Sequence, residues 1–235
     1  LTLKGDYTGA RTQLQKLYDI ARNDAERRTA LFNTTLTYVD EGKWEEALKT
    51  EDDEFAYAKN SNDVANMAGD LINMGTILLE MGKTEASLAK FEEAWQTASA
   101  SNLSPERKDF SKRQYLYNTA SVALEKGDFK TAKAKLEEFN KSAAAVKAPL
   151  QIAQGHQLAG MIALKEKNYT KALEELKQAS TEFNPYNFYR LALAYLGQGD
   201  KAKAKECFSQ AAHYNGFDGL TYALVRAKAL KMLQS

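Results

Sequence analysis

Leu71-Ile72-Asn73-Met74-Gly75-Thr76-Ile77-Leu78 leads into the turn Met81-Gly82-Lys83-Thr84, and Ser87, Phe91 and Ala94 follow it. Before the turn, Leu71, Met74, Gly75, Leu78 and Leu79 recur at the three- and four-residue steps of a helix with one packed face. After it, Leu88, Phe91, Glu92 and Trp95 keep the same steps, with Glu92 the one polar member. A glycine between two such runs ends the first helix in the left-handed conformation at little cost. The stretch reads as two antiparallel helices joined by a tight turn.

The same turn recurs as Lys4-Gly5-Asp6-Tyr7, Glu41-Gly42-Lys43-Trp44, Lys126-Gly127-Asp128-Phe129, Glu166-Lys167-Asn168-Tyr169 and Gln198-Gly199-Asp200-Lys201. Measured between Gly5, Gly42, Gly82, Gly127, Lys167 and Gly199, the intervals are 37, 40, 45, 40 and 32 residues, the spacing of helical-repeat arrays. Five residues after each turn comes a small side chain: Ala10, Ala47, Ser87, Ala132, Ala172, Ala204. Seven before five of the turns comes another: Thr35, Gly75, Ala120, Gly160, Ala192. Nine after five of them comes a large apolar residue: Leu14, Phe91, Leu136, Leu176, Phe208. Narrow side chains let two helix axes approach, and the wide residue fills the space beside the crossing. At the turn without glycine, Asn168 next to Lys167 is the residue expected to ease the left-handed geometry.

These slots resemble the tetratricopeptide repeat. Leu71 to Ala94 fits nearly every signature position. Phe188-Tyr189-Arg190-Leu191-Ala192-Leu193-Ala194-Tyr195 with Gly199, Ala204, Phe208 and Ala211 is a second clear copy. Leu116 to Phe139 and His156 to Ala179 are good copies, and residues 28–61 are weaker. The likeness covers roughly residues 5–215, and the longer intervals are similar to extended members of the family. The resemblance implies an all-α, right-handed superhelical solenoid of antiparallel helix hairpins. Its expected divisions are a half repeat at 1–27, repeats at 28–67, 68–112, 113–152, 153–184 and 185–215, and a capping helix at 216–235. Ser104 before Pro105 reads as a helix start. The cap is expected to bury a stripe of Leu220, Ala223, Leu224, Ala227, Leu230 and Leu233. The opening half-hairpin is expected to mean that a first helix lies in a longer protein or was removed.

In the family, the first helix of each hairpin lines a groove that holds a peptide or protein segment. By matching slot the groove residues are Phe32 and Leu36, Ile72 and Thr76, Tyr117 and Ser121, Gln157 and Met161, Tyr189 and Leu193. Asn33, Asn73 and Asn118 share one slot in three successive hairpins, where an amide either holds a ligand backbone or ties helices together. Asn73, Asn118 and Arg190 complete the candidate partner-binding set. The carboxylate clamp of chaperone-binding members is matched at only one of its five slots, by Asn73 in the first three full hairpins or by Arg190 in the last three. The function implied is a non-catalytic protein–protein interaction scaffold binding through the groove. The alternative is a peptide-sensing or regulatory module of a larger regulator or enzyme.

The totals agree with a folded, charge-balanced chain. The 235 residues carry 32 basic and 31 acidic side chains, a balance that gives no nucleic-acid footprint. Thirteen glycines and three prolines are few enough for long helices. No run approaches the roughly 18 apolar residues of a membrane span. A lone cysteine, Cys207, makes no intrachain disulfide. That fits a reducing cytoplasm, with export after signal removal as the alternative. The partners expected are proteins or peptides, with self-association compatible with the same surfaces.

No catalytic, cofactor or metal motif stands out. His156 falls in a packing slot, and His213 with Cys207 has a poor spacing for one metal. Short matches to glycosylation acceptors at Asn33, Asn102, Asn140 and Asn168 are of a kind that recurs by chance. Glu51-Asp52-Asp53-Glu54 departs from the family, which places an apolar residue at 51 and a small one at 54. The run is expected to be a solvated helix face, with packing shifted onto Leu48, Phe55 and Ala58, rather than a cation site.

Overall fold

A computed structural model describes residues 1–181, 184–214, 216 and 219–234. Its described residues form twelve α-helices and no strand. They are α1 (Tyr7–Asp19), α2 (Asp24–Glu41), α3 (Trp44–Asn60), α4 (Val64–Glu80), α5 (Thr84–Ser99) and α6 (Pro105–Glu125). The rest are α7 (Phe129–Ala145), α8 (Pro149–Lys165), α9 (Tyr169–Leu176), α10 (Tyr186–Gly197), α11 (Lys201–Ala212) and α12 (Leu220–Gln234). The chain divides into two compact units, one of Leu1–Lys108 with Phe217–Ala223 and one of Asp109–Gly216 with Leu224–Ser235.

The recurring turn has one geometry. Gly5, Gly42, Gly82, Gly127 and Gly199 all take positive φ, between 74° and 85°. After the last four, the next amide bonds back five residues, as Lys43 N–H to the Tyr38 carbonyl at 2.8 Å and Asp200 N–H to Tyr195 at 3.0 Å. This satisfies carbonyls that a helix end otherwise leaves open. The residue after the turn then caps the next helix. Asp6, Asp128, Asn168 and Asp200 each accept a backbone N–H three residues on. Lys167 itself holds the left-handed position at φ 59°, so Asn168 does not relieve it. Asn168 serves as the N-cap instead, the use to which an amide oxygen is better suited there. Ser104 caps α6 as expected, its Oγ accepting the Arg107 N–H at 3.4 Å.

The small residues sit where helices cross. Ala47, Ser87, Ala132 and Ala172 have no accessible surface, and neither do Thr35, Ala120 and Ala192. The narrow and wide slots meet directly: a Cβ added at Gly75 would lie 2.5 Å from the Phe91 ring, and one at Gly160 would lie 2.5 Å from Leu176 Cγ. Ser87 adds a bond, its hydroxyl donating to the Gly75 carbonyl at 2.7 Å. Around these crossings the cores form. In the first unit Leu71, Met74 and Ala94 are enclosed by Leu48, Phe55 and Ile72. In the second, Ala120, Leu124 and Ala132 pack on Leu158 and Ile162, and Ala163, Ala172 and Leu176 pack on Leu191 and Ala194. Ala229 closes against Ala211 and Ala212. The buried stripe of α12 includes Tyr222, Val225 and Ala229, while Ala227 is exposed. Of the expected stripe, Leu220, Ala223 and Leu224 are buried and Leu230 and Leu233 are half-buried against the core, so Ala227 alone departs from it.

The acidic run corrects a second expectation. Asp52 and Asp53 are solvated, but Glu51 and Glu54 are buried. The hairpin keeps the family register in spite of the charges it turns inward.

Two glycines of α4 separate packing from propensity. Gly69 has open space around its Cβ position, whereas Gly75 does not. Alanine gains about 0.5–1 kcal/mol of helix propensity at either site, and overpacking costs roughly 1–3 kcal/mol at Gly75 alone. Urea titration should find Gly69→Ala more stable than the parent and Gly75→Ala less stable.

Candidate interaction surface

In the second unit, side chains from α6, α8 and α10 join into one polar row. The Tyr117 hydroxyl accepts the Gln157 amide N–H and points its own proton at Met161 Sδ, 3.8 Å away. Gln157 Oε1 accepts from Asn187 Nδ2 at 3.1 Å and from Asn184 Nδ2 at 2.9 Å. Arg190 Nη1 donates to Asn187 Oδ1 at 2.8 Å, and its guanidinium lies 4.3 Å over the Tyr186 ring. Lys228 of α12 donates to the Tyr186 hydroxyl at 2.7 Å. Tyr189 stands edge-on to Tyr186, 5.8 Å between ring centres, and tilted on Phe208 at 5.4 Å. Burial pushes the Tyr117 phenol above its usual pKa, opposed by the Arg190 charge and the Gln157 bond. The row is thus a neutral phenol, two amides and a guanidinium, each already oriented by the next.

Of the thirteen residues expected to meet a partner, the structure brings Tyr117, Gln157 and Met161 into mutual contact, and ties Arg190 to them through Asn187. Tyr117, Met161, Tyr189, Arg190 and Leu193 are half-buried. Asn118, Ser121 and Gln157 are buried, Ser121 with its hydroxyl turned back to the Tyr117 carbonyl. In the first unit Phe32, Ile72, Asn73 and Thr76 are half-buried, and Thr76 bonds back to the Ile72 carbonyl. Leu36 has no accessible surface and packs the hairpin, which corrects its place in the set. Asn33 bonds its own helix at the Thr29 carbonyl, 2.8 Å. Sequence reasoning missed Asn184, Asn187 and Lys228. Their partners lie 27 to 42 residues away, and only a fold brings them together.

A second group of charged residues lies between α3 and α4 with Arg28 of α2. Arg28 grips Asp70 with two 2.8 Å bonds and reaches Glu54 Oε1 at 3.0 Å. Glu51 has no accessible surface, and neither of its carboxylate oxygens makes a well-formed hydrogen bond, the Asn73 amide being the donor that faces them; Glu54 Oε2 also lacks a partner. Among the described residues, Glu51, Glu54 and Asp70 are the one set of acids, histidines or cysteines spaced to share a metal ion. Burial first, then the neighbouring carboxylates, pushes Glu51 well above the usual carboxylate range. Burial and Asp70 push Glu54 up to about 7, and burial outweighs Arg28 in raising Asp70. His156 instead bonds Glu175 at 2.8 Å, half-buried between α8 and α9, and burial raises the Cys207 thiol.

All three acids have raised pKa values, so the folded chain holds protons that the unfolded chain releases. Stability is then greatest below the ordinary carboxylate range, near pH 4.5, and declines as pH rises through about 7. In buffer containing chelator, the melting temperature should fall from pH 5 to pH 8. Glu51→Gln should flatten that fall and stabilise the chain at pH 8 by on the order of 1–3 kcal/mol.

The likenesses to known proteins concern the fold. A family profile described as "Tetratricopeptide repeat" matches residues 186–214, the α10–α11 hairpin. A second, described as "Anaphase-promoting complex subunit 5", matches residues 2–71 and 54–104. No curated protein matches the chain in sequence. Among solved structures, BtubC (BKLC) from P. vanneervenii is similar at 16% identity and a TM-score of 0.56, covering 89% of each chain. A tetratricopeptide repeat protein from Parabacteroides merdae ATCC 43184 aligns at 12% identity and a TM-score of 0.46, covering 99% of this chain and 94% of that one.

Proposed function

We propose that this chain, whose repeats are those of the tetratricopeptide-repeat fold, holds a peptide or protein segment against the first-helix face of its second unit. The fold is one of protein-interaction scaffolds, typically non-catalytic. The observation that supports the finer reading is the row Tyr117–Gln157–Asn187–Arg190. Aromatic rings and a methionine supply apolar contact area there, and a guanidinium beside them supplies a directed donor. Tyr and Arg are the residues that most often dominate binding energy at interfaces. Because the amides already hold Arg190 in place, little ordering entropy remains to oppose binding. The occupant that suits this face is a segment with apolar side chains and one carboxylate or carbonyl for the guanidinium.

Arg190→Gln and Tyr189→Ala test the reading, with circular dichroism confirming that each variant folds. Affinity for proteins captured by the intact chain should drop at least about tenfold in Arg190→Gln, the loss of one charge-assisted bond. The reading fails if both folded variants keep every captured partner at the parental affinity.

A further inference from the structure

Nine residues beyond a turn, the chain places Phe91, Leu136, Leu176 and Phe208, each turned toward the interior of its hairpin; in α3 the same slot holds Glu51. Twelve residues beyond, the slot holds Ala94, Phe139, Ala179 and Ala211, all buried, but Glu54 in α3. An apolar pair would satisfy the packing. Two carboxylates in those slots face a third, Asp70 of α4, and each buried charge costs several kcal/mol unless it is compensated. Arg28 compensates one. When ionised, three carboxylates against one guanidinium leave two negative charges to be compensated, by protons or by a cation, in a site with no accessible surface at Glu51.

We propose that Glu51, Glu54 and Asp70 bind a hard divalent cation, Ca²⁺ or Mn²⁺, between α3 and α4. The charge left over is that of one divalent ion. One oxygen from each acid lies within 4.8 Å of the others, which fits ligands about 2.3–2.6 Å from a common calcium. The orphan atoms are the ones a metal would take: both oxygens of Glu51 and Oε2 of Glu54, while Oε1 of Glu54 stays with Arg28. Arg28 holds both Asp70 oxygens and one of Glu54, so two ligands are fixed before the ion arrives. The donors are all oxygen, which favours calcium or manganese over zinc, whose sites are built on His and Cys. The Asn73 side chain faces Glu51 and adds a further amide at the edge. Bound there, the ion would join the second helix of one hairpin to the first helix of the next.

The whole chain, stripped with chelator and dialysed, is titrated with Mn²⁺ while the free-ion electron paramagnetic resonance signal is followed, and with Ca²⁺ while the melting temperature is followed. The proposal expects one Mn²⁺ lost from the free signal per chain, displacement by Ca²⁺, and a melting temperature that climbs with added ion. Glu51→Gln, which keeps the shape, should weaken binding at least about tenfold, while Asp53→Asn on the solvated face of the same helix should leave it unchanged. Glu54→Gln serves as the second ligand variant should Glu51→Gln fail to fold. No Mn²⁺ uptake and no thermal shift up to about 1 mM of either ion, the weak end for calcium modules, would overturn the proposal and leave the acids protonated. Equal binding by the parent and both ligand variants would overturn it as well.

Discussion

The contact between a narrow side chain and a wide one holds hairpins of this chain together. Gly75 against Phe91 and Gly160 against Leu176 occupy the same two slots, seven residues before a turn and nine after it. Where the narrow side is glycine or alanine, the axes approach until the wide residue contacts backbone, and a dense core follows without long side chains. The turn geometry keeps these slots in phase. A left-handed residue followed by an amide that bonds back five residues fixes the entry into the second helix, so the register of the crossing is set locally.

Once that register is set, the chemistry of each slot follows from its position. The first helices of the second unit carry Tyr117, Gln157, Asn187 and Arg190 at neighbouring stations, and the bonds between them arise because successive hairpins repeat the same orientation. The same constraint explains α3. Glu51 and Glu54 are buried because the positions they occupy are buried, and the surrounding Arg28 and Asp70 are recruited from α2 and α4 to meet them. A repeat architecture thus allows one hairpin to carry a charged cluster while its neighbours keep apolar pairs in the same slots.

Much of this is legible in the residues alone. The glycine turns, the small slots and the Ser104–Pro105 helix start all depend on local backbone preferences, and local preferences are written in adjacent residues. The acidic run was not legible, because two rules conflicted there: polarity sends Glu51 to water and register sends it inward. Register prevailed with the help of Arg28 and Asp70, 42 residues apart, which no local reading connects to it. Lys167 follows the same pattern. It takes the left-handed position because the five-residue back-bond from Asn168 to Ala163 fixes the turn, whatever the side chain prefers. The slot of Leu36 points to a partner surface, but the folded chain leaves Leu36 no accessible surface. The amide row in the second unit needed tertiary partners, and single side chains such as Asn187 carry no signal of them.

A double-mutant cycle across Gly75 and Phe91 tests the narrow-to-wide crossing most directly. A methyl group at Gly75 meets Cε1, Cδ1 and Cζ of the Phe91 ring, and Leu lacks the Cε and Cζ atoms. Gly75→Ala should therefore cost much less stability in a Phe91→Leu background than in the parent, with a coupling energy above about 0.5 kcal/mol. Strictly additive losses would contradict the account, since they would mean that the two slots do not set the distance between the helices.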